Sequence, residues 1–86
     1  MNRIRYYGNR NIVFRKIKEL RAKQNMSQGE LAAKMQVMNV NIDQQSISRI
    51  ENNERGISDY ELVCLAKVFN VDVNYLLEYF EQLTNN

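Results

Sequence analysis

The chain has 86 residues, 44% of them apolar, with three glycines, no proline, no histidine and one cysteine. This length suits one small domain, and the scarcity of glycine and proline favours helices over strands. The single cysteine, Cys64, excludes an intramolecular disulfide, and the lack of histidine excludes Cys/His zinc sites and histidine-dependent triads. The composition therefore indicates an all-helical domain and argues against an enzyme, a metal site or a bound cofactor.

Basic and acidic residues are unevenly distributed. Residues 1–55 contain 11 of the 12 lysines and arginines against five acidic residues, a net charge of +6, whereas residues 56–86 contain one lysine against five acidic residues, a net charge of −4. This asymmetry is expected of a protein that binds a polyanion with one side, and solvated charge without function is the alternative. No apolar run suits a membrane span or a signal peptide, so a cytoplasmic location is expected.

A basic arm at residues 1–10 precedes a predicted helical domain at residues 11–83 and a short tail at residues 84–86. Basic arms of this kind can enter a DNA minor groove, although a disordered terminus is the more common case. The first helix is predicted at residues 12–24, with Asn11 as its N-cap.

The second helix is predicted to begin after the capping box of Ser27 and Glu30 and to continue to about Met38. A turn is expected to lead from there to the third helix, which is predicted from its N-cap Asp43 to about residues 52–53. The connection between these two helices is therefore expected to be short.

The fourth helix is predicted to begin with a second capping box at Ser58 and to end at Asn70, and the fifth is predicted to begin after Asp72. Apolar residues recur along all five helices at three- and four-residue spacing, as expected of helices that share one core. The predicted core comprises Val13, Ile17, Leu20, Leu31, Met35, Met38, Ile47, Ile50, Leu62, Leu65, Ala66, Phe69, Val73, Leu76, Leu77 and Phe80.

The third helix is unusual because only Ile47 and Ile50 are clearly apolar. The polar residues that project from its other side or from its first turn are Gln44, Gln45, Ser48, Arg49 and Asn52. In a major groove, glutamine pairs with adenine, arginine with guanine and serine with either partner type, and the helix start offers N–H groups to a phosphate. For this helix considered alone, a solvated polar face without function is the alternative.

The chain contains three segments that together resemble one family: LRAKQNMSQGELAAKM at 20–35, QQSISRIE at 44–51 and SDYELVCLAKVFNVDVNYLL at 58–77. They are similar to the phage-repressor/Cro/Xre-type helix-turn-helix transcriptional regulators, over roughly residues 12–78. The resemblance implies a five-helix, lambda-repressor-like DNA-binding domain with its helix-turn-helix at about residues 27–52.

The resemblance also implies roles for individual residues. The residues expected to read base edges are Gln44, Gln45, Ser48 and, more weakly, Arg49. The residues expected to contact phosphates are Gln28, which would also position Gln44, together with Asn52 and Arg55. An ion pair between Arg21 and Glu51 is expected to join the first helix to the third. In such complexes phosphate contacts supply affinity and register, and base contacts supply sequence choice.

The connection between the second and third helices departs from the family pattern. The family usually has three or four residues between the positions equivalent to Met35 and Gln44, whereas this chain has QVMNVNID. The extra residues are predicted to lengthen either the second helix or the turn, and because Met38 continues the apolar spacing, a helix longer by about one turn is the favoured case. The turn is then predicted at residues 41–43, with Asn41 in place of the usual glycine.

The predicted last helix carries a second stripe, formed by Tyr75, Tyr79 and Leu83 at four-residue spacing. Such a stripe is typical of a homodimer interface, although it can also cover the edge of the core or the N-terminal arm. The sequence therefore predicts a sequence-specific regulator that binds double-stranded DNA, a repressor and homodimer without metal or cofactor. The alternative is a protein-interaction module, antitoxin-like or adaptor, that uses this stripe.

Overall fold

The computed structural model describes residues 8–84 and the side chains of residues 8–78. This part of the chain contains five α-helices and no strand: α1 (Phe14–Lys23), α2 (Gln28–Val37), α3 (Gln44–Glu51), α4 (Asp59–Phe69) and α5 (Val73–Thr84). The predicted all-α fold class with five helices is confirmed. None of the helices in the described residues is long and apolar enough to cross a membrane.

The core receives side chains from all five helices. α3 packs against α1 and α2, α4 packs against α2, and α5 packs against α1 and α4. The largest fully buried side chains are Ile17, Leu31, Met35, Ile47, Ile50, Leu65, Phe69 and Leu76. All of these belong to the predicted core, because helical spacing identifies the buried side of an amphipathic helix.

Three helix starts follow the capping residues in the sequence. Ser27 accepts a hydrogen bond from the Glu30 backbone and Glu30 accepts one from the Ser27 backbone, which completes the capping box of α2. Ser58 and Glu61 form the same box at α4, and Asp43 caps α3. These side chains satisfy N–H groups that a helix start leaves without partners.

The start of α1 differs from the prediction. The helix begins at Phe14, two residues later than expected, and Val13 precedes it without a side-chain cap. Asn11, the predicted N-cap, is buried, and its Nδ2 donates to the carbonyl oxygens of Ile50 and Arg55 at 3.0 Å each. The N-cap prediction was wrong because the Asn11 Oδ1 accepts from the Val13 N–H, before the helix begins, and its Nδ2 binds the end of α3 and the loop beyond it.

The end of α2 agrees with the prediction to within one residue, but the turn that follows it differs. The helix ends at Val37 with Met38 as its C-cap, and Asn39 rather than Asn41 adopts a left-handed conformation, with φ of 66°. The Val40 N–H donates to the Met35 carbonyl at 3.1 Å, as in a Schellman motif. Residues 38–43 therefore form an irregular connection between α2 and α3.

This α2–α3 connection is anchored in the core by two apolar side chains. Ile42 is 2% exposed and Val40 is buried as well, although neither was predicted in the core. Gln36 Nε2 donates to the Ile42 carbonyl at 2.6 Å, which ties the connection back to α2. Met38, predicted in the core, is instead 41% exposed because it follows the last turn of α2. The start of α3 is thus held by packing as well as by its cap.

Candidate nucleic-acid interface

α3 has one side in the core and the other on the surface. Ile47 and Ile50 are fully buried, whereas Gln44 and Gln45 are exposed and Ser48 is partly exposed. The apolar side fixes the position of the helix, so its polar side chains project from a rigid element. Direct reading of base edges requires this arrangement, because hydrogen bonds discriminate only when donor and acceptor positions are fixed.

Four of the predicted DNA-contacting residues line one open cleft of about 370 Å³: Gln28, Gln44, Gln45 and Ser48. Gln28 comes from the first turn of α2 and the others come from α3, so the starts of the two helices meet here. The approach is close at Gly29, where an added Cβ would lie 3.3 Å from Oε1 of Gln44. The absence of a side chain at Gly29 leaves the space that Gln44 occupies.

A buried ion pair behind the cleft holds α3 against α1. Glu51 is 3% exposed, and Arg21 donates to it twice, from Nε to Oε2 at 2.6 Å and from Nη2 to Oε1 at 3.0 Å. The hydrogen bond to Glu51 raises the pKa of Arg21 above its ordinary value, against the opposing effect of burial. Gln28 Nε2 also donates to Glu51 Oε1, at 3.1 Å. The expected ion pair is therefore present, and it also engages the Gln28 amide.

Arg55 is engaged within the protein. Its Nη1 and Nη2 donate to the two carboxylate oxygens of Glu61 at 3.0 Å each, and Nη1 also donates to the Gly56 carbonyl at 2.9 Å. These hydrogen bonds from Arg55 are the main cause that lowers the pKa of Glu61, while burial acts in the opposite direction. The structure thus gives Arg55 a role in fixing the loop after α3, and its phosphate contact stays a prediction.

Arg49 and Asn52 are exposed at the last turn and the C-cap of α3. Neither belongs to the residues that line the cleft. Both lie farther along the helix than Gln44 and Gln45, toward its C-terminal end. Their contacts with bases and phosphates stay predictions.

Sequence reasoning missed Asn53, which joins the N-terminal segment to the end of α3. Its Oδ1 accepts hydrogen bonds from the backbone N–H groups of Arg10 at 2.8 Å and Asn11 at 3.2 Å, and its Nδ2 donates to Asn9 Oδ1 at 2.7 Å. The signal for part of this role was present, because an asparagine just after a helix often adopts the left-handed conformation, and Asn53 has φ of 59°.

Of the predicted stripe on α5, Tyr75 has a described side chain. It is partly buried against the core, and Lys16 Nζ lies 4.5 Å from the centre of its ring, within the range of a cation–π contact. The side chains of Tyr79 and Leu83 lie outside the described residues, as do residues 1–7 of the basic arm. A dimer interface on this stripe stays a prediction.

The pair α2 and α3 defines the class of protein, because two packed helices with an exposed polar face on the second form a helix-turn-helix unit. A family model described as Helix-turn-helix, of the Cro/C1 type, matches residues 17–76. The chain therefore belongs to the helix-turn-helix family, a family of DNA-binding regulators rather than of enzymes. Comparisons with curated proteins and with solved structures gave no match. Within the described residues, no acidic or cysteine cluster is placed to hold a metal ion.

Proposed function

We propose that the protein is a sequence-specific transcriptional repressor that reads the major groove of double-stranded DNA with α3. The observation that carries the proposal is the cleft in which Gln28 meets Gln44, Gln45 and Ser48. These side chains offer hydrogen bonds to a ligand from two rigid helix starts, while the apolar side of α3 behind them is fully buried.

The chemistry of the cleft suits base edges. Gln44 and Gln45 each carry an acceptor and a donor that match N6–H and N7 of adenine, and Ser48 can accept or donate. Arg49 offers the matching donors for guanine from the last turn. A good bidentate contact distinguishes the right base from a wrong one by about 1–3 kcal/mol, so two or three such side chains are sufficient for a short recognition sequence.

Phosphate contacts are assigned to the groups that flank the cleft. The starts of α2 and α3 present N–H groups and the positive end of the helix dipole. Gln28 commits one amide N–H to Glu51 and retains a second N–H for a phosphate. Asn52 and Arg55 follow at the other end of α3, where the Glu61 carboxylate holds the Arg55 guanidinium at the surface of the loop.

Repression follows from occupancy of the DNA by a homodimer in the cytoplasm. Two copies would place their α3 helices in successive major grooves, with half-site centres roughly 34 Å apart. A dimer bound at a promoter excludes the transcription machinery by steric overlap, and no cofactor is required for that effect.

The test is selection of bound duplexes from a random DNA pool at about 0.15 M salt, followed by sequencing. We expect enrichment of a motif with two-fold symmetry. A single, unrepeated motif would support sequence-specific DNA binding but contradict the homodimer. Lack of any enrichment by the folded protein would contradict the proposal and favour the protein-interaction module.

Two variants separate base reading from phosphate contact. Gln45→Ala should relax the preference at one base pair, whereas Asn52→Ala should weaken binding to all sequences alike and leave the salt dependence nearly unchanged, because the asparagine amide carries no charge. Equal weakening of all sequences by Gln45→Ala would show that the base-reading assignment is wrong.

A further inference from the structure

An apolar patch lies where the end of α2 meets one side of α4. It consists of Val37, 83% exposed, Tyr60, 63% exposed, Val63, 44% exposed, and Met38, 41% exposed. Met38 Sδ lies 3.6 Å from Cys64 Sγ, so the α2 and α4 parts of the patch are in contact. Neighbouring exposed apolar side chains on a small protein mark an interaction surface.

The patch is separate from the DNA cleft. Gln28, at the first turn of α2, lines the cleft, whereas Val37 is the last residue of the same helix. Nine residues at 1.5 Å each place the two ends roughly 14 Å apart along the helix axis. A molecule that covers the patch therefore leaves the start of α2 accessible to DNA.

The charged residues beside the patch are placed so that two copies of α4, packed antiparallel, would bring opposite charges together. Asp59, Val63 and Lys67 follow one another at four-residue spacing on α4, and all three are exposed. Val63 is thus midway between an acidic and a basic residue. If two α4 helices pack antiparallel about a two-fold axis at Val63, Asp59 of each copy lies opposite Lys67 of the other. Tyr60 then lies beside the same lysine, where a cation–π contact is available.

We propose that this patch binds a second copy of the chain through antiparallel α4 helices. A two-fold interface uses the same surface on both copies, so the surface must be complementary to itself, and the acid–apolar–base order on α4 meets that condition. The patch supplies a contact for the homodimer of the proposed function, but the inference depends on α4 alone and is testable without DNA.

The size of the patch determines how strong this contact is. Four exposed apolar side chains provide on the order of a few hundred Å², less than the roughly 800 Å² per partner of a stable complex. The dimer is therefore expected to be weak and reversible.

The test is sedimentation equilibrium of the full chain without DNA, over about 1 µM to 1 mM. Asp59→Lys and Lys67→Asp should each weaken the dimer at least about tenfold, because each places like charges opposite one another. The double variant should restore the wild-type constant to within about threefold, since the pair is recreated with reversed signs. Lys18→Asp, on the exposed side of α1, changes the net charge as Lys67→Asp does and should leave the dimer unchanged.

Folding of each variant is checked by circular dichroism, and Val63→Ser removes the central contact without a change of charge. A chain that is monomeric throughout the range, single charge variants without effect, or a double variant weaker than both singles would overturn the inference. If Leu83→Ser abolishes the dimer while the charge variants have the wild-type dissociation constant, the α4 interface is wrong and the stripe on α5 is favoured. Because the duplex selection is a separate measurement, failure of DNA reading and failure of this interface are distinguishable.

Discussion

The two connections that flank α3 begin alike and are held in different ways. Each starts with an asparagine in the left-handed conformation, Asn39 with φ of 66° and Asn53 with φ of 59°. After Asn39 comes Val40, which is buried in the core, whereas after Asn53 comes Glu54, which is exposed. The same helix ending therefore leads to an apolar anchor on one side of α3 and to a hydrogen-bonded anchor on the other.

This difference shows how the two ends of a recognition helix are fixed in position. Apolar burial depends on area and not on direction, so Val40 and Ile42 fix how close the start of α3 lies to α2. Hydrogen bonds depend on angle, so the Asn11 amide and the Arg55–Glu61 pair fix the end of the helix and the loop beyond it. The exposed glutamines at the start of α3 rely on both.

The largest effect is expected where the apolar anchor is broken. Ile42→Ala removes most of a buried side chain and should lower the free energy of unfolding by about 2–4 kcal/mol, measured by urea denaturation. Val37→Ala, at an exposed position just before the connection, is the matched control and should change it by less than about 0.5 kcal/mol. Similar losses in both variants would mean that the connection is not anchored by its apolar side chains.

A smaller loss is expected where the hydrogen-bonded anchor is broken. Asn11→Ala removes the amide that donates to the Ile50 and Arg55 carbonyls and accepts from the Val13 N–H, and it should cost about 1–3 kcal/mol in the same measurement. Asn41→Ala, at an exposed asparagine, should have little effect. An Asn11→Ala variant as stable as the wild type would show that water replaces the amide and that this anchor contributes nothing.

The hydrogen-bonded connection is expected to respond to acid through its ion pair between Arg55 and Glu61. Arg55 lowers the folded-state pKa of Glu61, so the stability from this pair is fully present above the unfolded-state pKa of a glutamate and is lost as the pH falls through the lower folded-state value. Arg55→Met should therefore reduce the loss of stability between about pH 6 and pH 3, by less than about 1 kcal/mol because Arg55 is partly exposed. Thermal unfolding at a series of pH values measures the difference, and parallel curves for wild type and variant would contradict it.

The smallest change in stability is expected when the left-handed asparagine that follows α2 is replaced. Asn39→Gly retains the left-handed conformation and should change the stability by less than about 0.5 kcal/mol. Asn53→Gly has the same backbone freedom but loses three hydrogen bonds, so it should be the more damaging substitution. Equal midpoints of denaturation for the two variants would show that the hydrogen bonds of Asn53 do not hold the connection after α3.

Local signals allowed much of this fold to be predicted. Ser27, Asp43 and Ser58 announced three helix starts, and each makes the expected cap. The two isoleucines of α3 are fully buried as their spacing indicated, which left the polar side of the helix exposed. The end of α2 was predicted to within one residue, but Met38, which continues the apolar spacing by one step, is exposed, and the turn begins at Asn39 instead of Asn41.

Some of the residues that form the candidate site were predicted from the sequence. The cleft contains Gln28, Gln44, Gln45 and Ser48, which the family resemblance had brought together. The family resemblance did not indicate that Arg55 pairs with Glu61. Glu61 was already explained by the capping box of α4, so no ion-pair partner was sought for it. The resemblance also gave no indication that Gly29 leaves the space for Gln44.

The sequence alone determined the helices and their buried sides, because caps and apolar spacing act between residues three or four positions apart, and its resemblance to known regulators indicated the helix-turn-helix family. Only the tertiary structure decided how α3 is held. The Asn11 amide reaches carbonyl groups 39 and 44 residues away, and Arg21 reaches Glu51 across 30 residues. Partners at such separations are chosen by how the whole core packs, since a polar group removed from water binds whichever donor or acceptor that packing brings within reach.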